Sequence, residues 1–240
     1  MNKRTLIAAV AAGGLTLGAA AVGVAYFVVF AGNSPQKLAL SSPTPTASGS
    51  PTASASAGAG AGTWTIGSGS VAGYRVREQL ASLSAPSDAV GRTSSITGAV
   101  TITQSGSSYT VAAASLTVNV NTLTSDRSMR DQRIHQMGLQ SDRYPTATFV
   151  LTTPIALPAN ATSGQIVNVS ATGQLTIHGV TKSVTIPIQA RLTGTQIELA
   201  GSISFPFGEF GMTPPSIGGF VTVQDNATME FDLKLSRQGA

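Results

Sequence analysis

One short stretch of the chain carries much of its charge: residues 125–149, SDRSMRDQRIHQMGLQSDRYPTATF, hold four arginines and three aspartates. Four kinds of feature use such residues: a catalytic site, a metal site, a solvated helix and the rim of a ligand pocket. Asp131 and His135 are spaced i, i+4, so on a helix both could face one metal ion. A third ligand would have to come from Asp126 or from elsewhere, and we favour the interpretation of a solvated helix.

Residues for covalent or hydrolytic chemistry are scarce. The absence of cysteine excludes disulfides, thiol nucleophiles and thiolate metal sites. The chain has two histidines and no Gly-x-Ser-x-Gly motif. His178 lies in a predicted turn, where a structural hydrogen bond is the more common role. We therefore predict that the protein is not an enzyme and uses no metal and no cofactor. An isomerase or hydrolase that acts through His178 or His135 is the weaker alternative.

The folded part of the chain is nearly neutral, although the whole chain has a net charge of +4. Lys3, Arg4 and Lys37 precede the folded part, and without them 11 basic residues face 10 acidic ones. Nucleic-acid binding needs a basic surface and usually stacking aromatic residues, which make up only 5% of this chain. Composition therefore argues against nucleic acid as a partner.

The chain begins with Lys3 and Arg4, followed by an uncharged apolar segment. As a helix, residues 5–32 would be about 42 Å long, at ~1.5 Å per residue. The hydrocarbon core of a bilayer is about 30 Å thick. We predict that residues 1–32 are a membrane anchor or a signal segment, with the basic end in the cytoplasm. The protein would then be a single-pass protein of the cell membrane, with its domain on the extracytoplasmic side. Cleavage of the segment would make it a secreted protein.

The next segment has the composition of a linker. Residues 33–62 are rich in Pro, Ser, Thr and Ala and then in Gly and Ala, so they contain too little apolar surface to fold. We predict a disordered linker over residues 33–62 and one folded domain over residues 63–240.

Alternation of apolar and polar residues predicts an all-β domain. Predicted strands fall at residues 74–77, 100–103, 109–111, 116–120, 148–152, 166–177, 183–192, 196–205 and 229–235. Because no helix separates most of them, about eight such strands indicate a closed antiparallel barrel or a sandwich.

The charged stretch interrupts this pattern and predicts one short helix. Ser125 or Asp126 could cap its N-terminus. Arg130, Ile134 and Met137 would share one face of the helix.

A second informative stretch is ISFPFGEFGMTPPSIGGF, residues 203–220. It contains half of the chain's phenylalanines, together with Met212. Two interpretations remain open: a plug of the barrel core, or an aromatic lining of an apolar ligand cavity.

Several motifs together resemble the YceI-like family. They are WTI at 64–66, YPTATF at 144–149, LTIHGVTKSVTIPI at 175–188 and FGM at 210–212, in the order seen in that family. Arg130-Asp131 also resembles the family's charged segment before its Tyr-Pro. The resemblance implies an eight-stranded, lipocalin-like antiparallel β-barrel that encloses a polyisoprenoid or similar lipid. It also implies export and allows a homodimer.

The resemblance and the residue pattern together select candidate contacts with the ligand. The candidates are Phe149, Phe205, Phe207, Phe210, Met212, Arg127, Arg130 and Tyr144. Arg127 or Arg130 would meet a phosphate headgroup. The sequence departs from the family at Phe207, where an arginine is common, and beside Arg133, where a histidine is common. Phe207 would make the cavity more apolar there than the resemblance implies.

The sequence therefore predicts an extracytoplasmic protein that binds a long-chain isoprenoid-like or acyl lipid without transforming it. The alternative is a surface-displayed structural or protein-interaction module, in which side chains fill the barrel core.

Overall fold

The computed structural model describes residues 34–41, 60–81, 86–217 and 221–238. Contacts divide the chain into residues 1–35 and 36–240, and the strands of the described residues lie in the second unit. The predicted anchor, residues 1–32, falls outside the described residues. Within the described ranges, no helix has the length and apolar character needed to cross a bilayer.

The described residues form twelve strands and one α-helix. The strands are β1 Gly62–Ile66, β2 Val71–Leu80, β3 Ser87–Thr93, β4 Ile96–Ser105, β5 Ser108–Asn119, β6 Thr146–Leu151, β7 Ile155–Ala156, β8 Val167–Ile177, β9 Val180–Thr193, β10 Gln196–Phe205, β11 Ser216–Ile217 and β12 Val221–Arg237. The helix, α1, is Ser128–Gln136, and single 3₁₀ turns lie at Val120–Thr122 and Phe207–Phe210.

Eight strands close into an antiparallel barrel. Their order is β1-β4-β5-β6-β8-β9-β10-β12, and β12 pairs back with β1. The first part of the long strand β12 pairs instead with β2, which pairs with β3. One bridge between Arg92 and Thr124 joins β3 to the chain after β5. The predicted eight-stranded closed barrel with one helix is therefore confirmed.

The hairpin between β8 and β9 shows how local sequence sets the register. His178 and Gly179 form its two-residue turn with φ of 53° and 73°. Two positive φ values match the twist of a tight hairpin, and glycine adopts them readily. The turn pairs Ile177 with Val180 and fixes the register along both strands.

Every second side chain of a strand faces the interior of the barrel. On β12 the side chains of Phe231, Leu233 and Leu235 are buried inside the barrel and alternate with the outward-facing Asp232 and Lys234. Trp64 and Leu235 are fully buried at the end of the barrel where β1 meets β12. This alternation makes the barrel apolar inside and places charge outside.

Helix α1 lies close to its predicted position, but its N-terminus differs. The N-cap is Arg127, whose side chain makes no capping hydrogen bond, so the predicted cap at Ser125 or Asp126 is wrong. Instead, the Ser125 amide donates to Asp131 Oδ1 at 3.0 Å, and Asp126 pairs with Arg130. The carboxylate of Asp131, in the first turn of α1, therefore fixes the backbone at Ser125, just before the helix begins.

Part of the predicted linker lies against the outside of the barrel. We call residues 36–41 the strap. Arg92 Nη2 donates to the Gln36 carbonyl, and Arg191 Nη2 donates to the Ser41 carbonyl at 2.8 Å. The Ser41 amide and hydroxyl donate to Glu198 Oε1 at 2.8 and 2.6 Å. These charged groups fix a segment whose composition gives no sign of order.

Candidate ligand-binding site

The barrel encloses two adjoining cavities. The inner cavity has a volume of about 170 Å³ and lies between the strands of the barrel. The mouth cavity has a volume of about 650 Å³ and lies beside α1. Ala72, Val118, Ala147 and Met229 line both, so they mark the junction. The barrel core is therefore not filled by its own side chains.

Inward positions on most strands of the barrel supply an apolar wall for the inner cavity. Representative residues are Ile102, Leu116, Phe149, Ile186, Leu199 and Leu233. Because these side chains offer no hydrogen-bonding group, the wall that they form suits a hydrocarbon chain.

The mouth cavity combines an apolar wall with a charged rim. Phe205 ends β10, Phe207 begins the 3₁₀ turn that follows, and Met212 lies just after that turn. On the opposite side, α1 and its N-cap contribute Arg127, Met129, Arg130, Arg133 and Ile134. The Phe207 amide donates to Asp225 Oδ1 at 2.9 Å, which ties the aromatic turn to β12.

Arg130 is held in an ion-pair network and its charge is compensated. Its Nη2 donates to Glu78 Oε1 at 2.6 Å, and its Nη1 donates to Asp126. The side chains of Arg130 and Glu78 are only 14% and 7% exposed. Burial alone would lower the pKa of Arg130, but the adjacent Glu78 and Asp126 carboxylates raise it. Arg130 is therefore a positioning group of the mouth and is not free to pair with an anion.

Two other arginines of the rim are less constrained. Arg127 Nε lies 3.8 Å from Asp126, and its side chain is about half exposed. Arg133 lines the mouth cavity and forms no ion pair with the described residues. These two guanidinium groups can still accept an anionic partner at the rim.

Tyr74 is an unusual polar residue of the mouth wall. Its hydroxyl is buried and has no hydrogen-bond partner among the described residues. Its ring packs on Gly91, where a Cβ atom would overlap the ring. Burial raises the pKa of Tyr74 far above its usual value, and the charges of Asp131, Glu78 and Asp126 act in the same direction. The hydroxyl therefore stays protonated.

The predicted contact residues do not all reach the cavities. Phe149 lines the inner cavity, and the mouth cavity is lined by Phe205, Phe207, Met212, Arg127 and Arg130. Phe210 is fully buried and lines neither cavity; its ring meets Phe205 edge-on with centroids 4.7 Å apart. Tyr144 also lines neither cavity and packs on His178 at 4.5 Å between ring centroids.

His178 links two turns of the fold. Its Nδ1 donates to the Phe210 carbonyl at 3.2 Å, which joins the β8–β9 hairpin to the aromatic turn. His135 and Asp131 bond to different groups, Ser141 and Ser125. The described part of the chain holds no group of three or more His, Cys, Asp or Glu side chains that could bind a metal ion.

Sequence reasoning missed several residues of the site. Tyr74, Glu78, Met129 and Arg133 line the mouth cavity but were not among the candidates. Tyr74 and Glu78 alternate with the outward-facing Arg75 and Arg77 on β2. That alternation was visible in the sequence, but it does not say which of the two sets faces inward.

A closed antiparallel barrel with an apolar interior and a charged rim at its mouth is typical of β-barrels that bind apolar ligands. The family itself follows from comparison with known sequences. The model of the YceI-like domain matches residues 64–235, and the chain belongs to this family. No curated protein matches the chain.

Solved structures with the same fold are distant in sequence. A polyisoprenoid binding domain from Saccharophagus degradans, implicated in plant cell wall breakdown, is 13% identical with a TM-score of 0.55. The alignment covers 74% of this chain and 99% of that one.

Two further structures are similar to this chain. BcnA from Burkholderia cenocepacia is 19% identical with a TM-score of 0.48, covering 67% of this chain and 95% of its own. The Campylobacter jejuni YCEI protein is 15% identical with a TM-score of 0.49, covering 62% and 84%.

Proposed function

We propose that the protein binds a long-chain apolar lipid inside its barrel and carries or sequesters it without chemical change. The observation that carries this proposal is the pair of adjoining cavities, the mouth cavity and the inner cavity, whose walls are mostly apolar. Ala147, Ala72 and Met229 line both parts, so one extended chain can occupy them together. Membership of the family and the likeness to a polyisoprenoid binding domain from Saccharophagus degradans favour a polyisoprenoid among such chains.

The energetics favour long ligands over short ones. Each buried methylene contributes about 0.8 kcal/mol, so ten carbons give roughly 8 kcal/mol. Association costs about 4–15 kcal/mol before any net affinity appears. A short chain therefore binds weakly, whereas a chain that fills both cavities binds well.

Localisation forms part of the same proposal. An N-terminal anchor or signal segment at residues 1–32 would place the barrel on the extracytoplasmic side of the cell membrane. There it would meet lipid that leaves or enters the outer leaflet. Fractionation of the native host, with protease applied to intact cells, tests this placement separately from lipid binding.

Mass spectrometry tests the binding function. Protein purified from its own host is measured under native conditions and after solvent extraction, which identifies any lipid that co-purifies. The stripped protein is then offered isoprenoids and acyl chains of increasing length. We expect uptake that strengthens with length. A stripped protein that takes up no long chain would overturn the proposal and favour a protein-interaction module. The same spectra report whether the chain forms a homodimer.

A further inference from the structure

Two methionines, one in α1 and one at its C-terminal end, face solvent. Met129 is 67% exposed and Met137 is 58% exposed, the two highest values among the large hydrophobic side chains of the described residues. Met129 lies in α1 and Met137 is its C-cap. Single exposed apolar residues are ordinary, but two on one helix beside an apolar opening form a local feature.

Arg133 connects the two methionines. Residues 129, 133 and 137 are spaced four apart, so they follow one stripe along the helix. Arg133 lines the mouth cavity and forms no ion pair with the described residues. Its neighbour Arg130, by contrast, is engaged by Glu78 and Asp126. The stripe therefore presents two flexible apolar side chains and one uncompensated cation.

We propose that the stripe of Met129, Arg133 and Met137 docks the mouth of the barrel on the surface of a phospholipid bilayer. Methionine side chains adapt to an irregular environment and can enter the boundary between headgroups and acyl chains. The Arg133 guanidinium pairs with headgroup phosphates. A lipid can then pass between bilayer and barrel without crossing water. Docking serves the protein only if the barrel carries a lipid, so it rests on the proposed function.

The strap runs along the outside of the barrel, with its Gln36 end towards the mouth cavity. Gln36 is bound by Arg92, which also pairs with Glu230, whereas Ser41 is bound by Glu198 and Lys234. On β12 the residues that line the mouth cavity lie between Val221 and Met229, so Glu230 is nearer to the mouth than Lys234. Within the domain, Gln36 therefore lies on the mouth side of Ser41.

Site-specific labelling tests the contact directly. Because the chain has no cysteine, Met129→Cys and Met137→Cys each create a single labelling position for an environment-sensitive fluorophore. The full chain is reconstituted in vesicles of phosphatidylcholine and phosphatidylglycerol that contain a headgroup nitroxide. We expect both labels to be quenched. Ile166→Cys provides the matched control, because Ile166 is 44% exposed and precedes Val167, which lines the inner cavity. Equal quenching at all three positions would overturn the proposal.

A transfer assay separates docking from binding. Met137 lines neither cavity, so Met137→Ser leaves the ligand site intact. We expect this variant to take up lipid from vesicles about five- to tenfold more slowly, while lipid delivered from detergent reaches the wild-type level. Ile166→Ser should transfer at the wild-type rate. An unchanged rate for Met137→Ser would contradict docking alone, whereas failure of the wild type to load by either route would contradict the proposed function.

Discussion

The junction between the two cavities offers a way to measure what the inner cavity contributes to binding. Ala147 lies on β6, is buried and lines both cavities. Replacing it with phenylalanine places a ring where an extended ligand must pass. The mouth cavity stays open to a ligand, whereas the inner cavity becomes inaccessible.

The size of the inner cavity sets the expected loss. At ~30 Å³ per small group, comparable to the share of liquid volume taken by one water, about 170 Å³ accommodates roughly five methylenes. Excluding them removes about 4 kcal/mol, at ~0.8 kcal/mol each. Since ~1.4 kcal/mol is a tenfold change, the affinity for a chain that fills both cavities should fall by about 10³.

The assay compares lipids of different length in the same variant. Binding of a short and a long chain with the same headgroup is titrated by displacement of a fluorescent fatty acid or by native mass spectrometry. The long chain should lose most of its advantage in Ala147→Phe, while the short chain binds as in the wild type. Val150→Phe is the matched control, because Val150 lies on the same strand but is 46% exposed.

Stability must be followed in parallel. An added ring in a packed region costs about 1–3 kcal/mol when the space does not accept it. A melting curve shows whether the variant is folded, and Ala147→Leu is a smaller block if it is not. A folded Ala147→Phe that still binds the long chain as tightly as the wild type would show that the ligand does not pass the junction.

Three further predictions concern polar groups. Burial alone would raise the pKa of Glu198, but hydrogen bonds from Lys234, Ser41 and Arg191 outweigh burial and lower the pKa to about 2. The ionised Glu198 side chain stabilises the fold above its unfolded pKa of about 4.5, and this stabilisation is lost as the pH falls towards 2. In urea unfolding, the free energy of unfolding should therefore fall by roughly 3 kcal/mol over this pH range. Glu198→Gln should not show this fall. Arg130→Met should lower the free energy of unfolding by about 3 kcal/mol in the same assay, because Glu78 is left buried and unpaired. Adding Glu78→Gln should restore most of the lost stability. Equal stability of the single and the double variant would argue against a stabilising Arg130–Glu78 ion pair. Tyr74→Phe should raise stability by about 1 kcal/mol, since it removes a buried hydroxyl without a partner, and a lower melting temperature would reveal a bond to bound water.

The strands of the barrel could be predicted from sequence where local signals agree. The prediction for β10 matches its bounds, Gln196–Phe205, because alternation runs from the TGT turn to Pro206. The prediction for β12 began at residue 229, although the strand begins at Val221. Gln224, Asp225 and Asn226 interrupt the alternation there, and the register shifts between Val223 and Ala227. Pairing with β2, a tertiary effect, extends the strand through this polar segment.

The candidate site was less predictable because burial depends on distant partners. The Phe-rich stretch drew attention to Phe205, Phe207 and Met212, and these three residues line the mouth cavity. The burial of Glu78 depends on Arg130, which follows 52 residues later, and the order of the strap depends on Glu198, more than 150 residues from Ser41. No local pattern encodes such pairs, so composition alone indicated a disordered segment and a solvated helix.

The distribution of charge explains how such a barrel can select its ligand. Glu230 on β12 and Glu198 on β10 point outward and pair with cations, Glu230 with Arg75 and Glu198 with Arg191. The inner cavity therefore recognises a ligand by length and shape, because its wall offers few hydrogen-bonding groups. Charged groups for polar discrimination lie at the rim, where Arg127 and Arg133 line the mouth cavity. Length dependence and headgroup dependence should thus respond to different substitutions, and a variant at the junction should leave the preference of the mouth unchanged.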